Sequence, residues 1–147
     1  MERYLSQRGL SFTPFVKAMP HIYMRKDHPA AGAALFNAQD LREYPYVSYE
    51  QGEHNVSFFT EEIECGQNGR QVEISDRASL MNVLLATNCY TVGTGIMPSL
   101  LNDGRIVSVP LQSDDHYVIG YILRNDRRAS ALTCSFITLL KTEMQGI

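Results

Sequence analysis

A chain of 147 residues with 44% hydrophobic content and a formal charge of −3 is long enough to bury about two-thirds of its unfolded surface in one domain, and its composition excludes a disordered or fibrous protein. The mild acidity also excludes the basic footprint of a domain that grips nucleic acid directly. The three cysteines, Cys65, Cys89 and Cys134, show no C-x-x-C spacing, and their odd number excludes a complete internal disulfide framework.

No apolar run approaches the length of a membrane span, and the N-terminal MERYLSQRG lacks the apolar core of a secretory signal, so a cytoplasmic location without membrane contact is expected. The first element with a strand pattern is HIYMR, His21 to Arg25. It closes at Asp27-His28-Pro29, where the proline pushes His28 towards extended backbone. NAQDL then reads as a short helix, with Asn37 as N-cap and Asp40 in the first turn.

PYVSY, Pro45 to Tyr49, is rich in β-formers and predicts the next strand. Val56, Phe59 and Ile63 recur at helical spacing, which predicts a helix over Glu53 to Glu64, ended by the turn GQNGR. QVEIS, Gln71 to Ser75, alternates as a strand does. SDRASLMNVLLATN is the clearest helix, capped by Ser75 or Asp76, with Leu80, Val83, Leu84 and Thr87 on one stripe and Asn88 at its end. CYTVG, RIVSVPL and HYVIGYILR are three further strands. From Ser130 a last helix carries Leu132, Phe136, Leu139 and Leu140 on one face, with Lys141 where a cation suits the dipole. Strands alternating with helices predict an α/β fold, a mostly parallel, Rossmann-like sheet with helices on both faces.

The stretch TVGTGIMPS, Thr91 to Ser99, places two glycines where a phosphate loop could lie. A phosphate loop needs a lysine after its last glycine, and a dinucleotide fingerprint needs a third glycine opening a long helix; here Ile96 follows and Pro98 intervenes. The turn therefore reads as the way the backbone leaves a strand, with a glycine at positive φ. The four histidines share no helix face. Asp114-Asp115-His116 is a ligand-like cluster without a partner motif, and no nucleophile elbow or Cys/His pair appears. Glu61-Glu62 reads as a solvated helix surface. No catalytic residue, metal site or cofactor is assigned.

In an open parallel sheet small ligands bind beyond the carboxyl ends of the strands, beside helix N-termini. Three loops qualify: EQGEHN after Tyr49, SDR after Ile74, and GTG after Val92. The first offers backbone N–H groups around Gly52 with the side chains of Gln51, His54 and Asn55, a cradle suited to a carboxylate. Glu50 and Glu53 oppose an anion there unless they turn away.

The order of HIYMRKDHPAAG, NAQDLREYPYVSY, ISDRASLMNVLLATNCYTVGTGIMPSLL, RIVSVPL, YVIGYILR and SALTCSFITLLK resembles the effector-binding domain of LysR-type transcriptional regulators. The matching signatures are the His28-Pro29-Ala30 turn, Asp40-Leu41 with Pro45, Gly93-Thr94-Gly95-Ile96 with Pro98, and Phe136-Ile137. Two details depart from the pattern: Ala30 stands for the usual leucine, and the glycine turn reaches its proline one residue early. The resemblance implies a fold like one lobe of a periplasmic binding protein, with residues 12–126 as the second lobe and 127–147 as hinge and closing helix. No part of the chain resembles the family's winged helix-turn-helix.

What the resemblance implies for function is a sensing module without enzymatic activity, binding a small, anionic effector in an interlobe cleft and acting as a homo-oligomer. It implies effector contacts at Tyr49, Gln51, Gly52 and His54, with Asp76 and Thr94 behind them. It also implies that the Val56–Ile63 helix serves dimer contacts and that the closing helix keeps an exposed apolar stripe when the rest of lobe one is absent. The alternatives are a stand-alone solute-binding protein of the two-lobe type and a small α/β enzyme.

Overall fold

In the computed structural model the residues described are 1–50, 70–97 and 103–145. The expected helix over Glu53 to Glu64, Cys65, most of the GQNGR turn, and Pro98 with Ser99 lie outside them. The chain divides into two compact units, Met19–Tyr117 and Met1–Ala18 with Val118–Ile147.

In the Met19–Tyr117 unit the alternation of HIYMR does what it predicts: β2 (His21–Arg25) buries Ile22 and Met24 and leaves its odd-numbered neighbours half exposed. This strand pairs antiparallel with β5 (Thr91–Gly93), His21 opposite Gly93, and with β6 (Ile106–Pro110), His21 opposite Pro110. β3 (Tyr46–Tyr49) and β4 (Gln71–Ile74) pair parallel, Tyr46 opposite Gln71. A parallel bridge between Tyr46 and Tyr90 joins the two groups. There the Val47 N–H donates to the Tyr90 carbonyl at 2.8 Å, and the Thr91 hydroxyl donates to the Val47 carbonyl at 2.8 Å. The strands thus run β4-β3-β5-β2-β6.

This corrects the mostly parallel sheet expected from sequence, because the described pairings are a mixture. Alternating apolar residues fix which face of a strand is buried but carry no information on its direction. Only the connection decides that, and the stretch between β2 and β3 holds nothing longer than a four-residue 3-10 helix, Ala38–Leu41. That turn forms where NAQDL suggested, with Asn37 as its N-cap and Asp40 in its first turn: the Asp40 carboxylate accepts the Asn37 N–H at 2.9 Å and its side-chain amide at 3.4 Å.

Both faces of this sheet are covered. Ile22, Met24, Tyr90, Val92 and Val109 cluster with Phe36 and Leu41, while Val47 and Ile106 cluster with Leu80, Leu84 and Cys89 beneath α2 (Arg77–Ala86). At the end of α2 the Thr87 hydroxyl donates to the Val83 carbonyl at 2.7 Å and accepts the Cys89 N–H at 3.1 Å. Asn88 turns instead to β2: its side-chain oxygen accepts from Arg25 at 2.7 Å.

His28 closes the turn after β2 and is 4% exposed. Its Nδ1 accepts the Ala30 N–H at 3.1 Å, which leaves Nε2 as the protonated nitrogen, donating to the Asn88 carbonyl at 3.1 Å. Its ring meets Tyr44 edge-on at 4.4 Å. Desolvation outweighs the Asn88 hydrogen bond and, with Arg25 nearby, holds its pKa below 6.5. The unfolded chain therefore binds a proton that the folded chain refuses. This contribution is complete above pH 6.5 and is lost as the pH falls below it. Urea midpoints measured between pH 5 and 8 should accordingly fall on the acid side, and His28→Gln should flatten that dependence; equal slopes in both proteins would refute it.

In the other unit β1 (Leu10–Ala18) pairs with β7 (Tyr117–Arg124), next to α1 (Glu2–Ser6) and α3 (Ala131–Gln145). The strand interior is tight, since a Cβ on Gly120 would strike the Thr13 carbonyl and the Phe12 ring. The Ser130 hydroxyl caps α3 by accepting the Thr133 N–H at 3.1 Å. Lys141 lies over the Tyr121 ring at 5.3 Å. Of the predicted apolar stripe, Leu132, Phe136 and Leu139 are exposed and Leu140 is half buried.

Candidate functional site

Because β3, β4 and β5 share one direction, Tyr49, Ile74 and Gly93 end on the same edge of the sheet. The Glu50 N–H donates to the Ile74 carbonyl at 2.8 Å, which extends the β3–β4 pairing one step past Tyr49. From Ile74 the chain runs through Ser75 and Asp76 directly into α2. Beside this junction lies an open hollow of about 470 Å3, lined by Glu50, Glu73, Ile74, Ser75 and Ser79.

Asp76 is the N-cap of α2. Its carboxylate accepts the Ser79 hydroxyl at 2.7 Å and the Ser79 N–H at 2.9 Å. These bonds, the hydroxyl first, hold its pKa below the usual aspartate value. Ser79 thus directs its hydroxyl proton to Asp76, and the Ser75 hydroxyl and the two glutamates remain as polar groups for a guest.

The six residues singled out by sequence distribute as follows. Gln51, Gly52 and His54 lie outside the described residues. Tyr49 ends β3, half buried against the cluster under α2. Thr94 sits after β5, its hydroxyl accepting the Ile96 N–H at 3.3 Å. Tyr49, Asp76 and Thr94 therefore stand at the three strand ends on one rim.

Sequence reasoning placed Ser75 in a candidate loop but passed over Glu73 and Ser79 as lining. Glu73 alternates with Val72 and Ile74, and only its register opposite Ser48 places it near Glu50. Ser79 had a readable signal, three residues beyond a capping aspartate. His21 was missed too: it pairs with Gly93, and a Cβ on Gly95 would strike its ring. The Gly-Thr-Gly turn is therefore explained by packing. Gly95 has φ +79°, and a Cβ on Gly93 would strike the Tyr23 ring. Among the described residues no group of three His, Cys, Asp or Glu side chains could hold a metal ion, and no helix is long and apolar enough to cross a membrane.

A mixed sheet covered on both faces, with an open hollow at the carboxyl ends of its parallel strands, is the build of an α/β ligand-binding lobe. The profile of the LysR substrate binding domain matches residues 1–145, so the chain belongs to that family. No curated protein sequence matches it. Among solved structures it is similar to the PA01 protein, described as a LysR family transcriptional regulator from Pseudomonas aeruginosa, with TM-score 0.67 and 14% identity over 93% of this chain and 50% of that one. It is also similar to HinK, a LysR family transcriptional regulator from Pseudomonas aeruginosa, with TM-score 0.66 and 15% identity over 92% and 49%. A third is the effector binding domain of QuiR in complex with shikimate, with TM-score 0.62 and 14% identity over 88% and 63%. The chain spans about half the length of the first two.

Proposed function

We propose that this chain is the sensing part of a LysR-type transcriptional regulator, without enzymatic activity, and that the Met19–Tyr117 unit supplies the second-lobe wall of an effector site. The lobe boundaries read from sequence, 12–126 and 127–147, belong to this reading, as do an intracellular setting and action on DNA through a segment other than this one. The observation that carries it is the hollow at the carboxyl ends of β3 and β4, with Ser75 and the start of α2 on its rim.

The effector proposed is a small hydroxylated acid. Glu50 and Glu73 oppose a bare anion but accept hydrogen bonds from hydroxyl groups. The acid end falls to the Gln51-Gly52-His54 loop on the sequence reading. QuiR, which has shikimate in its complex, makes that hydroxylated carboxylate a reasonable first probe. Binding by this chain alone is expected to be weak. Calorimetric titration with shikimate should give a dissociation constant in the millimolar range, weakened further in Glu50→Gln and Glu73→Gln. Submicromolar binding, or binding indifferent to both substitutions, would count against the site.

The homo-oligomer belongs to the same proposal, with the exposed Leu132, Phe136 and Leu139 stripe of α3 as a self-association surface. Light scattering that finds a monomer at high concentration would remove that part.

A further inference from the structure

On the flank of α2 lies a second hollow of about 310 Å3, lined by Arg77, Ala78, Met81 and Met97. Met81 and Met97 pack half buried against the cluster of Val47, Leu80, Leu84, Cys89 and Ile106. The volume is at the small end of ligand pockets, which run from about 300 to 1,000 Å3. Methionine side chains suit such a wall because their unbranched thioethers adapt to the shape of a guest.

Among the described residues, the one charged side chain in its lining is Arg77. Arg77 is the first residue of α2, where a cation faces the positive end of the helix dipole and an acidic residue would serve the helix better. Among the described residues the ion pairs are Arg105 with Asp103 and Arg124 with Asp126, and Arg77 is in neither. The carboxylate before it, Asp76, is engaged by Ser79. An arginine at the positive end of the helix dipole, in the lining of an apolar hollow, is a complement for an anion carrying an apolar tail.

We propose that this hollow is a second ligand site, separate from the rim of Glu50 and Glu73, and that it takes a small monocarboxylate with an apolar body. The tail lies between Met81 and Met97, and the carboxylate pairs with Arg77, whose fork geometry suits it. The two hollows differ in character: one presents two carboxylates and hydroxyls, the other thioethers and a cation.

The test uses the 147-residue chain with 13C-labelled methionine methyl groups, titrated with octanoate and, separately, with 1-octanol. Octanoate should shift the Met81 and Met97 methyl signals saturably and leave those of the exposed Met1 and Met19 in place. Octanol should bind at least about tenfold more weakly, since it lacks the charge-assisted bond. Arg77→Gln should reduce octanoate to the affinity of octanol, whereas Arg77→Lys should keep part of the difference. The buried Met24 methyl reports that each variant is folded. Glu73→Gln should leave octanoate binding unchanged, so failure at the first hollow is distinguishable from failure here. Equal binding of octanol and octanoate, parallel shifts at all exposed methionines, or an Arg77→Gln variant that binds octanoate as before would each overturn the proposal.

Discussion

Replacing Tyr90 by alanine should remove about 3–5 kcal/mol of stability, a large share of the roughly 5–15 kcal/mol that holds a domain together. Tyr90 has no exposed surface and is the largest fully buried side chain among the described residues. Its ring packs 5.4 Å from that of Tyr46, in the cluster that also contains Ile22, Met24 and Val92. Its backbone is the joint of the sheet, donating to the Pro45 carbonyl at 3.1 Å and accepting from Val47 at 2.8 Å. Truncation leaves those two bonds in place but opens a cavity beside them, so β3 loses its support on β5. Tyr90→Phe keeps the ring and should keep most of the stability. Urea unfolding followed by far-ultraviolet circular dichroism reads both, and an alanine midpoint equal to that of the parent would show that the ring is not core.

Which of these features could be read beforehand follows from how each is encoded. Ile22 and Met24 alternate with polar partners, and Leu80 and Leu84 repeat at helical spacing; both patterns report local burial, and β2 and α2 formed where they predict. β1 was not legible because Pro14 interrupts LSFTPFVKA, and a proline within a strand pattern argues for a turn. It is tolerated here in a two-stranded sheet, where a strand has one pairing edge to keep. β4 shows a further limit, since QVEI alternates yet its first three residues are exposed, as a strand with a partner on one side can be. At the site, the cap formed by Asp76 is local chemistry and was readable. The meeting of Glu50 with Glu73 depends on the register of β3 and β4, two strands that 21 intervening residues separate in sequence. The Arg77 and Met97 hollow depends likewise on how the turn after β5 returns to α2.

That turn carries the other large expected effect. Gly95 and Gly104 have nearly the same backbone, φ +79° and +80°, but different surroundings. A Cβ on Gly104 meets nothing within 4 Å, whereas one on Gly95 strikes the His21 ring. Gly104→Ala should therefore cost only the left-handed conformation, about 1–2 kcal/mol. Gly95→Ala should cost that and a further 1–3 kcal/mol or so for overpacking. Gly32→Ala, with negative φ and open space around it, sets the baseline. The contact itself is isolated by a double substitution. His21→Ala removes the ring, so in the Gly95→Ala background it should recover most of the excess and leave a cost close to that of Gly104→Ala. Strict additivity of the two changes would mean that the His21 ring does not fill the space above Gly95. The glycine would then be required by its backbone angle alone, and the path from β5 to Met97 would be set by the turn and not by β2.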